Sequence, residues 1–223
     1  MPLRHLASNA LNVVMLGPPG AGKGTQAERL GRVRGLPKIS TGDILREAAQ
    51  LGTEMGLAAR KTMEAGNLVG DDVMICIVQD RLDREDARHG FVLDGFPRTV
   101  VQATALDRMI DGRAPLVVLD IVVPEEVLVR RLAGRRICGK CGVNAPPEWT
   151  DACGKCGSPL VTRVDDGVDI VRERLKVYHR QTKPLVDYYS ARPSFHAIDG
   201  HQSPDVVTAA VDAALEAARG ATL

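Results

Sequence analysis

Between Gly17 and Thr25 the chain reads GPPGAGKGT. The stretch has Gly-x-x-x-x-Gly-Lys spacing. It lies between an apolar run, NVVML from Asn12 to Leu16, and a helically spaced one, TQAERLGRV from Thr25 to Val33. That order admits few folds: a buried strand, a tight loop, then a helix whose N-terminus faces the loop. The glycines allow close backbone approach to a ligand. Amides from Gly20 onward converge on a phosphate, and Lys23 adds a point charge. Pro18 and Pro19 donate nothing and stiffen the loop. Gly24 follows the lysine where many such loops carry Ser or Thr, so direct Mg²⁺ ligation from that position is not on offer. Asp94, which ends FVLD, is the natural acidic partner for the ion, directly or through water.

The rest of the chain alternates strands and helices. Phe91 to Asp94, Leu116 to Val123 and Phe195 to Ile198 read as strands. Helical spacing marks Thr99 to Ile110, Glu125 to Leu132 and a long stretch from Val168 past Tyr189, where Pro184 predicts a kink. Asp71 and Asp72 begin another helix, Ser40 or Thr41 caps one at ISTGDILR, and Ser203 precedes Pro204 at the start of the last. Such alternation predicts an α/β fold with a parallel sheet covered on both faces. Hydrophobic residues make up 44% of the chain and aromatics only 3%, so the core must be aliphatic. From Gly134 to about Asp166 periodicity vanishes, and Gly, Pro and Cys dominate.

That segment carries Cys138-Gly-Lys-Cys141-Gly and Cys153-Gly-Lys-Cys156-Gly. Each pair can face one metal, and four thiolates close a tetrahedral zinc site with no position left for a substrate. The expectation is a structural Zn²⁺ replacing a core that about 30 residues cannot build. Two disulfides, or a metal-free remnant, are the alternatives; a reducing compartment weighs against them. Eleven residues separate the pairs, fewer than the usual ribbon spacing of about 15–20. The lone Cys76 reads as a small core residue. No stretch approaches the roughly 20 apolar residues that span a bilayer. The apolar run of MPLRHLASNALNVVML leads into the phosphate loop as a strand, not a signal peptide. MPLRHLASNA itself is assigned no role. A cytoplasmic location is the expectation. With 29 basic and 28 acidic residues, no net field favours nucleic acid or a membrane surface as partner.

Arginines gather at junctions: Arg46 after the cap, Arg98 past a strand end, Arg135 and Arg136 opening the insertion, Arg163 closing it, Arg172 and Arg174 in the next helix. Phosphoryl transfer uses cations and positioning more than covalent chemistry. A phosphate acceptor is already an anion and needs no general base. Accordingly no Ser/His/Asp arrangement stands out, and the five histidines are scattered.

The chain resembles the adenylate kinase family of the bacterial, long-lid type through GPPGAGKGTQA, ISTGDILR, AGNLV, GFVLDGFPRT, GRRIC, TRVDD and RERLKVYHRQTKPLVDYY. The resemblance covers nearly everything from Val13 to Gly200. It implies reversible phosphoryl transfer from MgATP to AMP giving two ADP, for adenine nucleotide homeostasis, by a monomer. It also implies a five-stranded parallel P-loop core (1–39, 70–133 and 167–223), an AMP-binding segment (40–69) and a lid (134–166). Carried over by motif, Gly20, Ala21, Gly22, Lys23, Gly24 and Thr25 would hold the ATP phosphates. Arg131 would pack on the ATP base, with backbone at Gln202. Thr41, Arg46, Asn67, Leu68, Val69, Gly95, Phe96, Pro97, Arg98 and Gln102 would form the AMP side, Gln102 reading the adenine edge. Lys23, Arg98, Arg135, Arg163 and Arg174 would surround the transferring phosphate, with Arg135 on the ATP side and Arg163 and Arg174 shared with AMP. The aromatic-His pair that family members often carry after the first cysteine pair is replaced by CGVNAPPEW. With the short gap, that predicts a trimmed lid tip with fewer contacts to nucleotide. Competing readings are a GTP-dependent AMP kinase, another nucleoside-monophosphate kinase, or an ATPase bearing a zinc-ribbon binding module.

Overall fold

The structure is a computed structural model that describes residues 10–146 and 148–220; the first nine residues, to which the sequence assigns no role, lie outside the described residues. Strand β1 (Leu11–Leu16) is buried at all six positions and lies at the centre of the sheet. On one side it pairs with β3 (Gly90–Asp94), which pairs with β2 (Lys38–Ser40); on the other it pairs with β4 (Leu116–Val122), which pairs with β7 (Phe195–Asp199). Every pairing is parallel. Because both faces are covered, the inner strands β1, β3 and β4 read as near-continuous apolar runs rather than alternating ones.

Between the strands run α1 (Lys23–Arg34), α2 (Thr41–Gln50), α3 (Glu54–Glu64), α4 (Asp71–Leu82), α5 (Val100–Met109), α6 (Glu125–Ala133), α7 (Val168–Val177), α8 (Pro184–Ser190) and α9 (Pro204–Gly220). One core layer joins Val13, Met15 and Leu119 to Leu30, Leu128, Val171 and Leu215. The other joins Val14, Leu93 and Val118 to Val78, Leu106, Leu185 and Tyr189. Thus α7 packs on one face of the sheet and α8 on the other. The long helix expected from Val168 is divided between them by a π turn, Tyr178–Thr182. Pro184 opens α8, where its missing N–H costs nothing.

Three strands escape the sequence reading. β2 has three residues and only Ile39 buried. β5 (Arg136–Cys138) and β6 (Leu160–Thr162) form a separate antiparallel pair inside the Cys-rich insertion. The expectation for Cys76 is also corrected: it is exposed. Helix α4 buries Met74, Val78 and Leu82, a stripe at i, i+4, i+8, and Cys76 lies off it.

The Cys-rich insertion holds almost no core. Among its described residues from Gly134 to Asp165, only Cys138 and Cys153 are buried. Among the described residues, no helix is long and apolar enough to cross a membrane.

Candidate active site

The phosphate loop is fixed by close packing against its neighbours. Gly17 has φ 128°, and a Cβ there would come within 2.5 Å of the Ile121 carbonyl oxygen. Gly20 has φ 84°, and its missing Cβ would meet the Leu132 side chain at 2.9 Å. Helix α1 begins at Lys23 itself, two residues earlier than its periodicity predicts. Its cap, Gly22, offers no side-chain acceptor. Helices α2, α3 and α5 are each capped by a Ser or Thr oxygen, from Ser40, Thr53 and Thr99. The first-turn amides of α1 therefore lack the side-chain oxygen those helices have, which suits an anion. Lys23 Nζ donates to the carbonyls of Gly17 at 2.7 Å and Pro18 at 2.8 Å.

The sheet brings two carboxylates up beside this loop. Met15 pairs with Asp94 and Leu16 with Asp120. Asp94 Oδ2 lies 3.1 Å from the position a Cβ would take on Gly24. A side chain there would make the carboxylate give by a few tenths of an ångström, so Gly24 leaves Asp94 room beside the loop.

Beyond β3 the chain turns through a cis Phe96–Pro97 bond to Arg98. Arg98 Nε donates to the Gly95 carbonyl at 2.8 Å, which also accepts from Thr41 Oγ1 at 2.9 Å. Thr41, Asn67, Leu68, Val69, Gly95, Arg98 and Gln102 line one cleft with Gly42, Leu45, Met63 and Met74. Phe96 and Pro97 are buried behind it. Arg46 is ion-paired with Asp43 on the same helix.

From the insertion side come Arg135 and Arg163, and from α7 comes Arg174. Asp166, whose side chain is 0% exposed, accepts from Arg135 Nε at 2.7 Å and Nη2 at 2.5 Å, and from Arg174 at 3.1 Å. Arg174 also pairs with Asp165 at 2.9 Å. A buried carboxylate binding two guanidiniums holds both in place before any ligand arrives. Arg163 has a buried Nε with no hydrogen-bond partner.

These cations repel one another. Burial pushes the Lys23 ammonium down to about 8; Asp94 offsets part of that, while Arg98, Arg174 and Arg135 add to it. Arg98 is driven down to about 10 by burial and by Arg174, and Arg163 to about 10 by burial with Arg135 and Arg46. Burial also lowers Arg174. Such a concentration of buried positive charge is a costly arrangement that a polyanion relieves.

The insertion lies over the loop. Asn144 Nδ2 is 3.6 Å from the Cβ position on Gly24, and Lys155 approaches Glu28 of α1 at 3.6 Å. On the far side of the loop, Arg131 donates to Gly200 O at 3.0 Å and reaches Ala21 O at 3.5 Å. Gln202 is exposed, with its side chain on Asp199 at 2.8 Å. Arg136 and Arg172 stand apart from the cluster. Arg136 donates to the carbonyls of Trp149 and Thr150, and exposed Arg172 pairs with Asp169.

The four Sγ atoms of Cys138, Cys141, Cys153 and Cys156 lie within 4.8 Å of one another. Neighbouring sulfurs are 3.4 to 3.7 Å apart. A tetrahedral zinc with sulfurs at about 2.3 Å sets their separation near 3.8 Å. Backbone amides of Lys140 and Cys141 point at Cys138 Sγ and that of Lys155 at Cys153 Sγ, at 3.3 to 3.4 Å. Those amides favour thiolate ligands, so the cluster could hold a metal ion. None of the four forms a disulfide.

The sequence profile described as adenylate kinase matches residues 15–194. An adenylate kinase of Archaeoglobus fulgidus is 46% identical over 213 residues, covering 92% of this chain and 98% of that protein. One from Methanosarcina acetivorans is 47% identical over 204 residues, 88% and 94% of the two chains. One from Caldicellulosiruptor bescii is 49% identical over 189 residues, 82% and 88%. The chain belongs to the adenylate kinase family. It is a nucleoside-monophosphate kinase, a phosphotransferase that phosphorylates AMP with ATP. The zinc-ribbon binding module is not favoured: a Cβ on Gly154 would lie 2.6 Å from the Trp149 indole, so that ring is spent on the insertion's own packing.

The site residues that sequence reasoning did not assign are mostly acidic or apolar: Asp43, Asp165 and Asp166 beside the arginines, Asp120 beside the loop, and Gly42, Leu45, Met63 and Met74 in the cleft. For Asp165 and Asp166 a signal existed, because TRVDD places two carboxylates two and three residues after Arg163.

Proposed function

We propose that Gly20 to Thr25 seat the donor phosphates of MgATP, and that the cleft between Thr41 and Gln102 seats AMP. Arg131 and the backbone at Gln202 flank the donor base, and Gln102 reads the acceptor base. Arg46 stands on the AMP side with Arg98. Lys23, Arg98, Arg135, Arg163 and Arg174 converge on the phosphate in transit. The observation that carries this reading is their convergence itself. Residues far apart in sequence put mutually repelling cations around one point, with Arg163 Nε left unpartnered. The AMP phosphate attacks as an anion, so no base is required; the cations lower the repulsion between two polyanions and hold them in line. Asp94 would hold the Mg²⁺ that arrives with ATP, directly or through water, and the ion would neutralise part of the phosphate charge. Segments 40–69 and 134–166 close over the pair and exclude water, which would otherwise divert transfer into hydrolysis.

The four thiolates hold a structural Zn²⁺ that folds the lid, with no free position for substrate. A reducing cytoplasm would keep the four thiols available as ligands.

AMP is offered with ATP, GTP, CTP and UTP in turn, and ADP formation is followed. Two ADP per AMP, with ATP the preferred donor, is the expected result. Nucleotide hydrolysis independent of AMP would overturn the assignment of the cleft, and a GTP preference would overturn the donor.

The Lys23 shift gives a pH signature. Donor phosphates beside Lys23 raise its pKa, so the complex keeps a proton that the free enzyme has half lost at about pH 8. MgATP affinity then falls as pH rises past that point, by up to about tenfold per unit. Calorimetry in buffers of different ionisation heat should show proton uptake on binding at pH 8 to 9. Uptake of the same size in Lys23→Met would assign the proton elsewhere.

A further inference from the structure

Gln102, the third residue of α5, is 2% exposed and lines the cleft. Its Oε1 accepts from the backbone N–H of Arg98 at 2.8 Å, and its Nε2 donates to Asp71 Oδ1 at 2.8 Å. The other Asp71 oxygen accepts from Thr99 Oγ1 at 3.0 Å, and Thr99 Oγ1 accepts from the Gln102 backbone N–H at 3.2 Å. The result is a closed ring in which an N–H can only donate and a carboxylate can only accept. These partners dictate which end of the carboxamide is oxygen and which is nitrogen.

We propose that Asp71 is a positioning residue that sets acceptor selectivity, by fixing the Gln102 carboxamide in the orientation that accepts a 6-amino purine and rejects a 6-oxo purine. The inference rests on the reading that Gln102 faces the acceptor base. A carboxamide has two N–H groups and two lone pairs, and the ring spends one of each. One donor and one acceptor remain side by side. They match a base edge that carries a ring-nitrogen acceptor next to an amino donor, as in adenine. A hypoxanthine edge reverses the pair, with N–H at the ring and oxygen at position 6. Recognising it requires the carboxamide to rotate by half a turn. Rotation would set Nε2 against the Arg98 N–H and Oε1 against the Asp71 carboxylate, two like-against-like contacts in a buried place. Asp71 opens α4, just past the Asn67–Val69 stretch that also lines the cleft. The selectivity device is therefore built into the acceptor site at a residue that does not line it.

The test compares AMP with inosine 5′-monophosphate as acceptors. In Asp71→Asn the AMP preference in kcat/KM should narrow by about tenfold, because an amide partner accommodates either end of Gln102 and removes one of the two contacts that oppose its rotation, leaving only the Arg98 N–H. The change should fall on KM, with kcat for AMP within about threefold of wild type. Asp72→Asn removes the same charge from the same helix turn at an exposed position, and should leave the preference unchanged. Thr99→Val, which frees the second Asp71 oxygen, should shift the ratio in the same direction to a smaller extent; it serves as the second variant if Asp71→Asn unfolds too readily to assay. Gln102→Leu separates the two readings. If it raises the KM for AMP while Asp71→Asn and Thr99→Val keep the full preference, the role of Asp71 is overturned and the acceptor cleft stands. If Gln102→Leu leaves the KM for AMP unchanged, Gln102 does not face the base and the acceptor assignment itself fails.

Discussion

Lys23→Met and Arg163→Met should each lose turnover on the order of 10³-fold while unfolding at or above the wild-type temperature. The two effects have one cause. Lys23 and Arg163 sit in a crowd of like charges, and burial has pushed Lys23 down to about 8 and Arg163 to about 10. Arg163 has a buried Nε with no partner, so folding gains little from it. Lys23 has only two loop carbonyls. Both side chains cost stability in the free enzyme and return it only when phosphate charge is present. The pH dependence has a definite sign. The folded pKa of Lys23 lies below its ordinary 10.5, so the unfolded chain holds more protons between about 8 and 10.5. Wild type therefore gains stability relative to Lys23→Met as pH rises through that window. Thermal unfolding at pH 7 and pH 10, with an ADP-forming assay, measures both halves. Turnover in the wild-type range for either variant would remove it from the reaction. A fall of several degrees in melting temperature at pH 7 would mean that the residue holds the fold together instead.

Much of this arrangement is legible in the sequence, for identifiable reasons. The phosphate loop is legible because its backbone leaves no room for side chains at Gly17 and Gly20, and that constraint writes glycine into the chain. The parallel sheet is legible through its inner strands β1, β3 and β4, which are buried on both faces and so are mostly apolar. By contrast β2 is three residues long with one buried, which is too little pattern to register. The pair β5 and β6 is held beside a sulfur cluster rather than by apolar packing, so hydrophobic periodicity carries no trace of it. The Asp166 pairing to Arg135 spans 31 residues, and no local rule connects them. Cys76 is different: the Met74, Val78, Leu82 stripe already places it off the buried face, although its residue type favours the core.

Removing the proposed zinc should disable the Cys-rich insertion and spare the five-stranded core. Chelation, or Cys141→Ser, is expected to release about one zinc per chain. It should lower kcat/KM by about 10²-fold or more, since a displacement of about 1 Å in a positioned group costs that much. The physical argument starts from burial. From Gly134 to Asp165 the described residues bury only Cys138 and Cys153, so the segment has no apolar core to fold around. Structural zinc supplies roughly 10–16 kcal/mol in small peptides, more than any other contact available to a unit this size. Arg135 and Arg163 flank the segment, so the role proposed for them at the transferring phosphate depends on its shape. The five-stranded sheet is built from other residues, so far-ultraviolet circular dichroism should fall only slightly. Trp149, the one tryptophan in the chain, packs on Gly154 between two ligands and should report the loss by fluorescence. With the lid unfolded, water enters, and the ratio of ATP hydrolysis to transfer should rise. Full transfer activity in metal-free protein, with four titratable thiols in the insertion, would show that the cysteines fold the lid without an ion.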